Sequence, residues 1–93
     1  MSNSTPLFAI GSVVATPGAL VVLEEANVNA ADLLNRHVHG DWGSLCEEDK
    51  RLNDEAVLSG DRILSSYEVG GKVVWLITEA DRSSTCCLRP SEY

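Results

Sequence analysis

The dipeptide Gly-Gly at residues 70–71 constrains the fold of this chain more than any other feature. It separates residues 62–69 from residues 72–78, two runs that have the β-branched and aromatic composition of strands. Two glycines between such runs are typical of a two-residue β-hairpin, because the primed turns that match strand twist need positive φ angles. Pairing outward from the turn places Tyr67 opposite Val74. The pattern therefore predicts an antiparallel hairpin in this register.

Two helices are predicted upstream of the hairpin from their capping signals. Thr-Pro at residues 16–17 supplies an N-cap followed by proline at the first helical position, and residues 18–26 continue as a short apolar helix. Asn29 can cap a second helix, which runs from residue 30 to about residue 37. Gly40 then ends this second helix.

The third predicted helix is the most densely charged segment of the chain. A capping box at residues 44–47 begins it, and Gly60 ends it. At about 100° per residue, Leu45, Leu52 and Ala56 share one stripe that would face the sheet. Four carboxylates of this helix would then point outward or lie on a flank, namely Glu47, Glu48, Asp54 and Glu55.

Strand composition also marks residues 7–14 and residues 85–88. The sequence thus predicts a flexible leader over residues 1–6 and a single α+β domain over residues 7–93. The elements follow in the order β-α-α-α-β-β-β. The expected architecture is an antiparallel sheet of about four strands with about three helices on one face.

Charge narrows the classes of partner that this chain can have. It contains 14 Asp and Glu against seven Lys and Arg, for a formal net charge of −7. Such a surface repels nucleic acid and anionic lipid, so we expect neither as a direct partner, and it attracts basic proteins. No apolar run approaches the ~20 residues of a membrane span, and the N-terminus lacks signal-peptide features. The expected location is the bacterial cytoplasm.

Two interpretations of the carboxylates stay open. One is a surface that is acidic for solubility alone. The other is a partner-binding rim, in which carboxylates one helical turn apart, about 5–6 Å from each other, imitate phosphates and engage an Arg/Lys groove. The rim would comprise Glu47, Glu48, Asp54 and Glu55 together with Glu24, Glu25, Asp32 and Asp41.

Residues 36–43, R-H-V-H-G-D-W-G, hold both histidines of the chain and resemble an H-x-H-x-D metal element. A catalytic metal site needs about three rigid protein ligands, with hydrogen-bond partners for the imidazoles. His39 lies where the chain leaves a helix, and no other spacing completes a site, so a helix-to-helix corner is favoured. In that corner a charged His37 would interact with the helix dipole, Asp41 would brace the backbone and Trp42 would pack over the core.

The three cysteines do not form an evident catalytic pair. Strand alternation points Cys86 and Cys87 to opposite faces, which suits core residues better than joint chelation of an ion. Cys46 falls in the first turn of a predicted helix, with no histidine in sequence reach to form a dyad. We therefore expect no enzymatic activity, no metal and no cofactor.

Several stretches together resemble a family of small bacterial proteins found on plasmids and other mobile elements. They are A-T-P-G-A-L (15–20), R-H-V-H-G-D-W-G-S-L-C-E-E-D (36–49), R-I-L-S-S-Y (62–67) and W-L-I-T-E-A-D-R-S-S-T (75–85). The resemblance spans nearly the whole chain. The family motif is R-H-x-x-G-D-W-G, so His39 falls outside it, and Cys86, Cys87 and Arg89 also depart from the family pattern.

The chain is also similar to the compact acidic anti-CRISPR inhibitors of type I systems, which phages and other mobile elements carry. This resemblance implies a non-enzymatic inhibitor whose acidic surface acts as a DNA mimic. It would dock on a basic, nucleic-acid-binding Cas subunit of the surveillance complex and block target DNA. The alternative is a plasmid-borne partner-binding or regulatory protein without DNA mimicry, and a small hydrolase or metalloenzyme comes third.

Overall fold

The order of elements predicted from the sequence is confirmed by a computed structural model that describes residues 5–93. The fold is α+β, with a four-stranded sheet and three helices. The strands are β1 (Ser12–Ala15), β2 (Ile63–Val69), β3 (Lys72–Thr78) and β4 (Ser84–Leu88). The helices are α1 (Pro17–Glu25), α2 (Ala30–Val38) and α3 (Glu47–Ser59), and a short 3-10 helix over Pro90–Glu92 follows β4.

The hairpin forms in the predicted register. Gly70 and Gly71 have φ angles of 58° and 81°, as a primed turn requires of both its central residues. β2 pairs antiparallel with β3, and Tyr67 lies opposite Val74. β4 then returns antiparallel to β3.

The prediction of a fully antiparallel sheet is wrong, because the sheet is mixed. Its strand order is β1-β4-β3-β2, and β1 pairs parallel to β4. The three helices form a crossover from β1 to β2, and such a crossover delivers the chain in the direction in which it left. Since β2 and β4 are both antiparallel to β3, β1 must run parallel to β4.

The first strand is shorter than predicted and begins later. Residues 7–11 pass over α2 instead, and the Leu7 N–H donates to the Val38 carbonyl at 2.7 Å. Of the predicted leader, residues 1–4 lie outside the described residues, and Pro6 lines a cleft beside α2.

α1 and α2 bury their apolar sides on one face of the sheet. Both predicted N-caps are confirmed: Thr16 Oγ1 accepts from the Ala19 N–H at 3.2 Å, and Asn29 Oδ1 accepts from the Ala31 N–H at 2.9 Å. Fully burying each large aliphatic side chain contributes roughly 1.5–3 kcal/mol. The core formed in this way consists of Ala19, Val22, Leu23, Leu33, Tyr67, Val69, Val74, Leu76 and Cys87.

α3 is rotated by about one residue from its predicted orientation. Leu52 is 51% exposed, whereas Asn53 and Ala56 are buried. The Asn53 side chain donates to the Leu64 carbonyl at 2.7 Å and accepts from the Leu64 N–H at 3.3 Å. It thereby satisfies backbone groups that β2, an edge strand, would otherwise leave open. A polar contact thus helps to decide the buried side of α3. The predicted apolar stripe is confirmed at Ala56, and Leu45 packs half-buried against the core, but the prediction is wrong for Leu52.

The segment before α3 covers this edge at Ser66. The Ser44 N–H donates to the Ser66 carbonyl at 2.7 Å, and the Ser66 N–H donates to the Trp42 carbonyl at 3.1 Å. Gly43 between them has a φ of +80°, and a Cβ there would lie 1.9 Å from the Ser66 oxygen, so only glycine fits. Because Ser44 is used in this way, the predicted capping box is wrong. The N-cap of α3 is Cys46, which makes no side-chain bond.

Candidate partner-binding surface

His37 belongs to a buried chain of hydrogen bonds. Its Nδ1 is 2.5 Å from the Ser65 hydroxyl, and its Nε2 is 2.9 Å from the Thr78 hydroxyl. Thr78 in turn is 2.7 Å from the Thr85 hydroxyl, which donates to the Ile10 carbonyl at 2.9 Å. All four side chains are fully buried. His37 is therefore anchored in the core, away from solvent.

The hydroxyl protons determine which tautomer His37 adopts. Thr85 gives its single hydroxyl proton to a carbonyl, so it accepts from Thr78, which in turn accepts from the His37 Nε2–H. Nδ1 is then unprotonated and accepts from Ser65. Burial lowers the pKa of His37 to about 4, and the positive charge of Arg82 adds to this. The imidazole is neutral, so the predicted interaction of a charged His37 with the helix dipole is wrong.

His39 and the cysteines lie apart from this chain of hydrogen bonds. His39 Nδ1 is 2.7 Å from the Asn35 carbonyl. Cys87 is buried among core residues and Cys86 is half-buried on the other face, as strand alternation predicts. Burial raises the pKa of the Cys87 thiol to about 11. Within residues 5–93, no three His, Cys, Asp or Glu side chains are grouped so that they could hold a metal ion.

Asp41 and Trp42 brace the loop between α2 and α3, as predicted. The Asp41 carboxylate accepts from the Arg36 guanidinium at 2.7 and 3.3 Å and from the Gly43 N–H at 3.2 Å. The hydrogen bond from Arg36 holds the pKa of Asp41 below its ordinary value. Trp42 is 3% exposed and stacks on Phe8, with 6.2 Å between ring centroids. The Asp41 charge is largely matched within the chain, and its role in a partner-binding rim stays a prediction.

The eight carboxylates predicted to form the rim are all exposed, but they lie on different elements. One group lies on α3, which packs along β2. The second group lies at the end of α1 and the start of α2, and α1 packs on β3 and β4. We call these the α3 group (Glu47, Glu48, Asp54 and Glu55) and the corner group (Glu24, Glu25 and Asp32), and Asp41 precedes α3 in the loop.

Besides Asp41, three of these carboxylates have partners within the chain. Glu47 lies 3.7 Å from the Lys50 ammonium, and Glu25 lies 3.7 Å from that of Lys72. Asp54 accepts from the Trp42 indole N–H at 3.0 Å. Among residues 5–93, no hydrogen bond or ion pair engages the side chains of Glu24, Asp32, Glu48 and Glu55. These four carboxylates are therefore the most available to a partner.

A hollow of about 240 Å³ lies between α3 and β2. Leucine side chains form most of its wall, and the exposed Asp49 borders it. A lysine or arginine combines an aliphatic stem with a charged head, so the hollow has the chemistry to take one. The sequence did not predict this feature, because its apolar pattern assigns Leu52 to the core. The lining residues are Leu45, Asp49, Leu52, Asn53 and Leu64.

A larger cleft of about 410 Å³ separates residues 6–10 from α2. Among residues 5–93, no ionisable side chain lines it. Its lining consists of Pro6, Phe8, Ala9, Ile10, Ala31, Leu34, Asn35 and Val38.

Trp42→Phe is expected to lower the free energy of unfolding by about 1–2 kcal/mol, because the indole N–H bond to the charged Asp54 is lost. Asp54→Asn is the matched control, since its amide oxygen can still accept from Trp42, and it should cost less than half as much. Urea unfolding monitored by circular dichroism measures both. A Trp42→Phe protein as stable as the parent would show that Asp54 does not brace α3.

Comparisons with protein-family models, with curated proteins and with solved structures give no match to this chain. Between residues 5 and 93, the longest helix is α3, and no helix has the length and apolar character needed to cross a membrane.

Proposed function

We propose that this protein is a non-enzymatic anti-CRISPR inhibitor, which acts in the cytoplasm of the host cell. In this proposal α3 docks on a basic, DNA-binding Cas subunit of a type I surveillance complex and keeps target DNA out. The proposal rests on the orientation of α3, which hydrogen bonds to β2 fix. The buried amide of Asn53 fixes one side of the helix to β2, and Glu48 and Glu55 project from the opposite side.

The charges on α3 support attraction to a basic surface. The helix carries five carboxylates against Lys50 and Arg51. Glu48 and Glu55 are two helical turns apart, about 10 Å along the axis, on the side that faces away from the sheet. Within the described part of the chain, neither carboxylate makes a hydrogen bond or an ion pair. A partner arginine can therefore bind either one without breaking an existing bond.

The hollow beside α3 adds a shape requirement to this attraction. Charge steers association, but an ion pair at an exposed surface contributes little affinity. A basic side chain that places its stem against Leu52 and Leu64 and its head at Asp49 would also bury apolar area. The expected partner therefore presents arginines or lysines in a groove, as a DNA channel does.

Occlusion of DNA tests this proposal. A purified type I surveillance complex is mixed with excess protein, fluorescent target DNA is then added, and anisotropy is measured. We expect DNA binding to fall at least tenfold, and to fall less as salt rises, because the contacts are ionic. If the target DNA is added before the protein, the DNA that is already bound should not be displaced. If the complex binds DNA equally well with and without the protein, the proposal is wrong.

The separation of the α3 group from the corner group favours a second candidate, a partner-binding or regulatory protein that does not imitate DNA. Such a protein would use the α3 group and the hollow on a basic surface other than the DNA channel. Competition by non-specific DNA separates the two candidates. DNA displaces a mimic from its partner, whereas a regulator that binds elsewhere remains bound.

A further inference from the structure

The two edges of the sheet differ in how they are covered. The β2 edge is covered by Asn53 and by the segment Trp42–Ser44. β1 forms the other edge, and within the described residues nothing pairs with its outer side. An open edge is a template for another strand unless charge, proline or a bulge blocks it, and β1, S-V-V-A, contains neither a charge nor a proline.

The open side of β1 presents a hydrogen-bonding pattern with two-fold symmetry. The N–H groups of Ser12 and Thr16 donate inward, at 3.0 and 2.9 Å, to carbonyls at the β4 side. Since successive residues of a strand direct these groups to opposite sides, Val13 and Ala15 direct theirs outward. These two residues flank Val14. If a second copy of β1 is related to the first by a two-fold axis at Val14, Ala15 of one copy lies opposite Val13 of the other, and their N–H and C=O groups can pair.

Charge also favours a second copy at this edge. Residues 1–23 contain no Asp, Glu, Lys or Arg, although the whole chain carries a formal charge of −7. Two copies would repel each other at α3, whereas the residues of β1 carry no charge. The Glu92 carboxylate lies at the end of this strand, where it accepts from Thr16 and from the Gly18 N–H. Apolar side chains of β1 are exposed on both faces at this edge: Val13 is 44% exposed, and Val14 is 53% exposed on the opposite face.

We propose that two copies of this chain pair through β1, antiparallel about a two-fold axis at Val14, and form one continuous eight-stranded sheet. Val13 and Ala15 of each copy make four N–H···O bonds to Ala15 and Val13 of the other. Val14 lies directly opposite its counterpart. α3 lies at the far edge of each sheet, so the dimer keeps both acidic helices exposed.

Disulfide trapping tests the register. Cα atoms of a directly opposed, non-hydrogen-bonded antiparallel pair are about 4.5 Å apart, within disulfide range, so Val14→Cys should give a covalent dimer on mild oxidation. Cys86 neighbours Val14 within one copy and Cys46 is exposed, so both are first changed to serine. Val13→Cys in the same background is the matched control. It should give little dimer, because residue 13 faces residue 15.

Sedimentation of the untrapped protein gives an independent test. We expect a concentration-dependent dimer whose dissociation constant rises at least tenfold in Val14→Lys, which places a charge at the axis. Leu58→Lys should leave it unchanged, because Leu58 is 89% exposed on α3. A protein that stays monomeric at several hundred micromolar overturns the proposal. So does a dimer that survives Val14→Lys, because it would use another surface.

Discussion

Between pH 7.5 and pH 5, His37 alone is expected to remove about 2 kcal/mol from the free energy of unfolding. Its pKa is about 4 in the folded protein, against 6.5 ordinarily. Below pH 6.5 the unfolded chain binds a proton that the folded chain does not, so acid favours unfolding. The loss continues until the pH reaches about 4, where folded His37 is protonated as well. Paired carboxylates such as Asp41, whose pKa is lowered, lose their contribution mainly below this window.

The two histidines of the chain allow a matched comparison. Urea unfolding at pH 7.5 and pH 5 should show the full loss in His39→Gln and almost none in His37→Gln, although the latter starts from a lower stability. If His37→Gln is too unstable to analyse, an NMR titration of the parent protein serves instead. A His37 imidazole that titrates near pH 6.5 would contradict the buried, neutral assignment.

Reversing two charges on α3, with Glu48→Lys and Glu55→Lys, should weaken inhibition of a type I surveillance complex by about 30-fold or more. Each change replaces an attraction to the basic groove with a repulsion, and each factor of ten corresponds to about 1.4 kcal/mol. The pair avoids Asp54, whose carboxylate holds the Trp42 indole, and Glu47, which pairs with Lys50. The inhibitory concentration in a DNA-binding assay measures the effect.

The double variant should keep its fold, which makes the result interpretable. Both side chains are exposed and make no hydrogen bond or ion pair within residues 5–93. Each surface substitution of this kind costs about 0.5 kcal/mol or less, so the pair should lower the free energy of unfolding by at most about 1 kcal/mol. The thermal midpoint should therefore stay within about 8 °C of the parent value. Undiminished inhibition by a folded double variant would mean that α3 is only a solvated face.

Local chemistry explains which parts of the fold could be predicted from the sequence. The Gly70-Gly71 turn, the Thr16 and Asn29 caps and the strand alternation at Cys86 and Cys87 each depend on a few adjacent residues, and each was found as predicted. The parallel pairing of β1 with β4 was missed, because no local pattern records which distant strand becomes a neighbour.

The errors around α3 and His37 have one physical cause. In both places a polar side chain is buried because a partner far along the chain satisfies it: Leu64 for Asn53, and Ser65 and Thr78 for His37. Hydrophobic periodicity assigns polar residues to the surface. It therefore placed Leu52 instead of Asn53 on the buried side of α3, and it gave no sign that His37 is buried. The hollow beside α3 was hidden by the same error.

The most direct test of the central claim, that the α3 group carries the inhibition, compares two variants of equal charge. Glu48→Lys with Glu55→Lys, and Glu24→Lys with Asp32→Lys, each reverse two carboxylates and change the formal charge by the same amount. The inhibitory concentrations of both are measured against one surveillance complex at one ionic strength. We predict a loss of about 30-fold or more for the α3 pair and less than about threefold for the corner pair. Equal losses would show that net charge, and not α3, governs the interaction.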